Sequence, residues 1–134
     1  MLLYLYAFLT LIVVLIGHML GNYDGLYVTV PLYDVAMHIG GGLGIGLFFC
    51  AVMVNRWPNR PHKKWLIIVG VVFVTGIFWE LFEIYYDIAG YQLWTVPYYL
   101  DTLKDLVDDI IGGSLAAWIY LRHIQPQPAT NNES

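Results

Sequence analysis

The chain has 134 residues, of which 59% are apolar and only 12% are charged, and its formal net charge is −4. This composition excludes a soluble domain of the same length, whose surface would need far more charged side chains. A transmembrane helix takes roughly 20 mostly apolar residues, so four spans with short loops use the whole chain. We therefore expect an all-α integral membrane protein surrounded by membrane lipid, with no nucleic-acid partner.

Four spans are predicted, in chain order, over residues 2–20, 32–54, 65–88 and 101–121. The first lacks a basic segment before it and a small-residue cleavage site, so we expect an uncleaved anchor. Together the spans predict one four-helix bundle with short loops over residues 1–124. Residues 125–134 are polar, and we expect them to be disordered.

The second span is rich in glycine, with Gly40, Gly41, Gly42, Gly44 and Gly46. Glycines four residues apart lie on one helix face and let a neighbouring helix approach closely. This spacing favours tight packing within the chain, and it also favours a homo-oligomer formed through the second span.

Basic residues indicate the orientation. All but Lys104 lie between the second and third spans or directly after the fourth, at Arg56, Arg60, Lys63, Lys64 and Arg122. The positive-inside rule places that loop and both termini in the cytoplasm. The loops at residues 21–31 and 89–100 then face outward, and we expect a multi-pass protein of the bacterial inner membrane.

Acidic residues converge on the outer side of this topology, which holds all of them except Glu133. Asp34 and His38 are four residues apart and share a face of the second span. The third span ends with Glu80, Glu83 and Asp87, and the fourth begins with Asp101, Asp105, Asp108 and Asp109. These groups come from separate stretches of sequence, so their convergence is the strongest functional signal in the chain.

Depth in the membrane sharpens this signal. At about 1.5 Å per residue, Glu80 and Asp109 lie roughly 12 Å below the outer ends of their spans, and His38 lies somewhat less deep. An ionised carboxylate facing lipid there costs at least about 2–3 kcal/mol. We therefore expect these faces to turn toward each other.

Several carboxylates packed together need either shared protons or a bound cation. Lys104 is the only nearby basic residue, and its position predicts that it lies at the outer, water-exposed end of the fourth span. A divalent metal ion is therefore the favoured interpretation, with His38, Glu80, Glu83, Asp87, Asp101 and Asp105 as candidate ligands. Oxygen ligands with imidazole suit Zn, Mn or Fe, and Mg or Ca if the histidines do not ligate. A hydrogen-bonded network that shares protons remains the alternative.

Three segments carry a family resemblance, YDVAMHIGGG, FWELFEIYYD and DTLKDLVDDIIGG. They resemble the small YjdF-type bacterial inner-membrane proteins and, more distantly, the VanZ-like family. The shared pattern is D-x-x-x-H, then W/Y-E-x-x-E, then D-T-x-x-D with a later glycine. It falls on Asp34, His38, Glu80, Glu83, Asp101, Thr102, Asp105 and Gly112. The resemblance implies one acidic and histidine-containing site in a bacterial inner-membrane protein.

The leading hypothesis is a metal-dependent membrane hydrolase or transferase acting on a lipid or lipid-linked envelope substrate at the outer leaflet. Asp109 or Asp34 would be its general base. A proton or cation transporter is the alternative, because intramembrane carboxylates beside a histidine are typical of proton relays. A non-catalytic membrane accessory protein is the third interpretation.

Overall fold

The computed structural model describes residues 2–53, 60–86, 88 and 90–124 of the chain. Four long helices account for most of them: α1 (Leu2–Asp24), α3 (Tyr33–Met53), α4 (Pro61–Tyr86) and α5 (Val96–Ile119). A single turn, α2 (Leu26–Thr29), follows α1, and a π-helical turn, Tyr120–Ile124, follows α5. The described residues form no strand, so this part of the chain is all-α.

Three helices are long and apolar enough to cross a membrane. α1, α3 and α4 contain 23, 21 and 26 residues, and each exceeds the roughly 20 residues that a hydrocarbon core of about 30 Å requires. α5 has 24 residues but carries a lysine and four aspartates between residues 101 and 109. Its membrane crossing, the four-span bundle and the location of the termini remain predictions.

Local sequence sets the helix boundaries at the end of the bundle that is predicted to face outward. Gly25 has a φ of 67°, a left-handed conformation that glycine adopts without strain and that commonly ends a helix such as α1. α5 begins at Val96, before its predicted start at residue 101, with extended Thr95 as its N-cap. Pro97 is tolerated there because the first-turn N–H groups have no partner within the helix.

Helix α3 is the centre of the bundle and packs on α5 and α1, while α4 packs on α5 and α3. Glycines permit the closest approach. A Cβ atom at Gly42 would collide with the carbonyl oxygen of Asp109, and one at Gly112 with the carbonyl oxygen of Ile39. Gly40 and Gly44 meet side chains of α1. These glycines therefore pack helices within the chain, and the homo-oligomer remains a prediction.

The two ends of the bundle differ in chemistry. The apolar core occupies the predicted cytoplasmic end and comprises Leu3, Ala7, Leu47, Cys50, Ala51, Ile68, Ala116, Ala117 and Tyr120. At the other end, most of the buried groups are polar, namely His38, Glu80, Asp105, Asp108 and Asp109, and Tyr98 is buried near them. Lys64 is a buried charged residue at the apolar end. The site therefore belongs to one half of the bundle, and the apolar half provides much of its support.

Candidate metal centre

His38 lies at the centre of the acidic cluster, between α3 and α5. Its Nε2 atom is 3.6 Å from Asp34 Oδ1 and 3.7 Å from Asp105 Oδ1, and its Nδ1 atom is 3.4 Å from Asp109 Oδ1. The residue is only 7% exposed. Both ring nitrogen atoms of His38 therefore lie near carboxylates, Nε2 near two of them and Nδ1 near one.

The local sequence explains this arrangement. Asp34 is in the first turn of α3, and the four-residue spacing brings it above His38 on the same face. Asp105 and Asp109 have the same spacing on α5 and form a matching pair. The glycine contacts at Gly42 hold the two helices close enough for these pairs to meet.

Lys104 enters the same cluster. Its ammonium group donates to Asp34 Oδ2, donates to Asp105 Oδ1 at 2.6 Å, and lies 3.4 Å from Asp101 Oδ1. The sequence predicts that this lysine lies at the water-exposed end of its span, and 38% of its side chain is indeed exposed. Its long flexible stem nevertheless carries the charge inward to the carboxylates. The cluster therefore contains an internal cation that the sequence analysis gave no role.

A metal ion needs donor atoms that converge. Asp34, His38 and Asp105 each offer one such atom, and the three atoms lie within 4.8 Å of one another. Asp34, predicted as a general base, thus belongs to this converging set, together with the predicted ligands His38 and Asp105. Asp109, the other predicted base, contacts the opposite ring nitrogen.

Other predicted ligands lie outside that converging set. Asp101 pairs with Lys104, and Glu83 Oε1 accepts a hydrogen bond from Trp79 Nε1 at 2.9 Å. Glu80 is buried, and its Oε1 atom has no hydrogen-bond partner within the described part of the chain. Asp87 lies outside the described residues. The ligand roles of these four residues remain predictions.

Two further buried oxygen atoms, Asp108 Oδ2 and Asp109 Oδ2, also have no hydrogen-bond partner among the residues that the structure describes. An unpaired buried polar atom costs roughly 1–3 kcal/mol. Such atoms are explained by a proton, a water molecule, an ion or a ligand that completes the site. Asp109 Oδ2 lies against Gly76 of α4, so this carboxylate reaches across the bundle from α5.

A second polar group lies beside the cluster: His18, which the sequence predicts at the same end of the bundle, together with Tyr27 and Trp79, which were not predicted to join it. His18 Nδ1 is 2.7 Å from the Tyr27 hydroxyl, and the His18 ring packs edge-on against Trp79 with centroids 5.1 Å apart. Burial, and then the negative charge of Asp34, raise the pKa of Tyr27 above its usual value. Its hydroxyl therefore stays protonated and can donate to His18. No motif links these three residues, because they come from three different elements.

A cavity of about 230 Å³ lies between α1, α3 and α4. Its walls are mainly apolar side chains and glycines, and His38 and Asp109 form part of its lining. His18, Tyr27 and Trp79 line the same cavity. The acidic cluster is thus connected to an apolar space within the helices.

Comparison with known proteins gives one match. The family model described as "Predicted membrane protein (DUF2238)" matches residues 1–126. No curated protein and no solved structure shows significant similarity to the chain. The match covers all four long helices and the whole site, and it supports an integral membrane protein.

Proposed function

This chain belongs to the DUF2238 family of predicted membrane proteins, and we propose that it is a metal-dependent membrane enzyme that acts on a lipid or lipid-linked envelope substrate. We place it in the bacterial inner membrane as a multi-pass protein, with its site open to the non-cytoplasmic face. The YjdF-type and VanZ-like resemblance is part of this proposal. The observation that carries it is the set of carboxylates around the two nitrogen atoms of His38.

The geometry of the donor atoms supports a metal ion. Ligands placed tetrahedrally at about 2.1 Å from an ion lie about 3.4 Å apart. His38 Nε2 lies 3.6 Å from Asp34 Oδ1 and 3.7 Å from Asp105 Oδ1, close to this spacing. All three donor atoms lie within 4.8 Å of one another, so the two carboxylates would have to adjust around an ion to complete the site. One imidazole and two carboxylates suit Zn, Mn or Fe. Three protein ligands also leave a position for substrate, as catalytic metal sites do.

Asp109 supports the same assignment from the other side of the ring. Its Oδ1 atom is 3.4 Å from His38 Nδ1, where it can accept the Nδ1–H. A carboxylate in this position fixes the tautomer that leaves Nε2 free to ligate, and it increases the basicity of the imidazole. When bound, the ion would supply Lewis-acid activation of a substrate oxygen.

Lys104 is the competitor of any metal ion at this site. Its ammonium group contacts both Asp34 and Asp105, which are two of the three proposed ligands. Since the side chain is long and 38% exposed, it can move outward toward Asp101 when an ion binds. Lys104 thus lets the carboxylates remain compensated before the metal ion arrives.

A proton relay is the second candidate, and Lys104 is the observation that favours it. With this lysine in place, the cluster has a cation of its own, and His38 and the carboxylates can exchange protons without a metal. Against conduction, the route inward has little polarity. Thr75 donates its hydroxyl to Val71 within the same helix at 2.9 Å, and the described cytoplasmic half contains the apolar core.

Elemental analysis of the purified protein in detergent tests the proposal, with and without prior chelation. We expect stoichiometric Zn, Mn or Fe in the unmodified chain and its loss in Asp105→Asn. Asp24→Asn is the matched control, because Asp24 is an exposed aspartate at the end of α1. A folded Asp105→Asn protein that keeps as much metal as the Asp24→Asn control would contradict the proposal.

A further inference from the structure

We infer that the cavity between α1, α3 and α4 binds one hydrocarbon chain of a membrane lipid, with the polar end of that lipid beside His38 and Asp109. This inference deepens the proposed function, on whose lipid substrate it rests. It names the part of the substrate that the protein holds and the side of the bundle from which the substrate enters.

The cavity has the shape of a chain site. It extends from Leu11 to His18 on α1, from Met37 to Ile45 on α3, and from Val72 to Trp79 on α4. Each stretch rises about 10 Å along its helix axis. One leaflet of the hydrocarbon core is about 15 Å deep, so the cavity covers about two thirds of a leaflet and lies parallel to the lipid chains.

Its lining matches hydrocarbon. The deep part is formed by aliphatic side chains and glycines, and Thr75 bonds to a carbonyl of its own helix there. A cavity of about 150 Å³ lined by aliphatic and aromatic side chains stays dry and binds benzene. At about 230 Å³, this cavity has room for a longer apolar guest.

Lateral access from the membrane is also built into the fold. Leu15 lines the cavity and is 58% exposed, so this side chain lies between the cavity and the outside of the bundle, where a lipid chain would enter beside α1. On the outer side, the contact between His18 and Trp79 joins these two helices, and Tyr27 bonds to His18. The contact between His18 and Trp79 separates the cavity from the water, so the proposed entrance is the one that faces lipid.

The polar end of the cavity has an unmet hydrogen bond. Asp109 lines the cavity, its side chain is 9% exposed, and its Oδ2 atom has no hydrogen-bond partner in the described ranges. A hydroxyl group of a lipid, next to the bound chain, can donate to this oxygen. The chain would then place the lipid's polar group beside His38, next to the proposed metal ligands.

Photocrosslinking in vesicles of phosphatidylethanolamine and phosphatidylglycerol tests the inference. The probe is phosphatidylglycerol with a diazirine in the middle of one acyl chain. In the unmodified protein we expect crosslinks at Met37 and Ile45, which line the cavity, and their loss when unlabelled phosphatidylglycerol competes. Crosslinks confined to lipid-facing side chains, such as Phe8 and Phe78, would overturn the inference without any variant.

Gly41→Leu is the variant that fills the cavity. Gly41 lines it, and an added Cβ would meet no atom within 4 Å. We expect crosslinking at Ile45 to fall about tenfold, which corresponds to the loss of about two buried methylene groups of the guest. Gly70→Leu is the matched control, since Gly70 also has open space around it and is exposed on α4. Equal crosslinking in the two variants would overturn the inference.

The same samples separate this inference from the proposed function. Chain binding is measured by crosslinking and metal binding by elemental analysis. Crosslinks at Ile45 in a protein that binds no metal would refute the metal-dependent enzyme and support the chain site. Bound metal without crosslinks inside the cavity would refute the chain site and leave the metal centre in place.

Discussion

His38 Nδ1 lies 3.4 Å from Asp109 Oδ1, across the interface of α3 and α5. The contact forms where Gly42 lets the backbone of Asp109 approach α3. The orientation of the imidazole is therefore coupled to the closest helix packing in the bundle. Any metal bound at Nε2 depends on a carboxylate that does not touch it.

Asp109→Asn tests this dependence. The amide keeps the shape of the carboxylate but weakens the acceptor for Nδ1–H and removes its negative charge. Loss of such a partner typically lowers metal affinity about 10–100-fold. Competition with a metal-sensitive dye would measure the change in detergent-solubilised protein. An affinity equal to that of the Asp24→Asn control would show that Asp109 does not orient His38.

Lys104→Met should have the opposite effect. The variant removes the ammonium that contacts Asp34 and Asp105, while methionine keeps much of the apolar stem. Because hydrogen bonds to a charged group contribute about 1.5–3 kcal/mol each, we expect metal affinity to rise at least about tenfold at mildly alkaline pH. Lys63→Met, an exposed lysine near the start of α4, is the control. A fall in affinity would favour the proton network over the metal site.

The sequence predicts much of this site, but not the pairing within it. The four predicted spans coincide with the four long helices, although the membrane crossing of α5 stays a prediction, and the four-residue spacing predicts that Asp34 lies beside His38. The acidic spacing predicts that this face of α5 turns inward, but not which carboxylate meets which nitrogen atom of His38. That pairing depends on the contact of Gly112 with the backbone of Ile39, and this contact turns Asp105 and Asp109 toward α3.

The partners of Lys104 and the existence of the cavity could not be predicted from the sequence, for two different physical reasons. A lysine stem is long enough for its charge to lie well away from the depth of its Cα atom, so its position in the helix did not predict its partners. The cavity is a gap between three helices, α1, α3 and α4, that come from separate stretches of the sequence. No local sequence pattern therefore predicts it. Gly41 contributes to it simply by having no side chain.

Gly42→Ala should destabilise the bundle and the site together. A Cβ at this position would collide with the carbonyl oxygen of Asp109, whereas one at Gly41 would meet nothing within 4 Å. Overpacking of this kind costs about 1–3 kcal/mol. We therefore expect Gly42→Ala to lower the thermal unfolding midpoint in detergent and reduce metal content, while Gly41→Ala leaves both close to those of the unmodified protein. Similar midpoints for the two variants would show that α3 and α5 can separate without loss.

The orientation of the site in the membrane can be tested by cysteine labelling. Positive charges favour a cytoplasmic location for the start of α4, which puts the acidic cluster on the outer side. Single cysteines can be placed at Tyr23, Gln92 and His62, all exposed in the structure, in a chain whose buried Cys50 is replaced by serine. In intact cells, a membrane-impermeant maleimide should label the cysteines at Tyr23 and Gln92 but not the one at His62. Permeabilised cells are the control, because all three positions should then react. Labelling at His62 in intact cells would show that the topology is the opposite of the predicted one. The proposed metal centre would then face the cytoplasm, and its substrate would be a lipid of the inner leaflet.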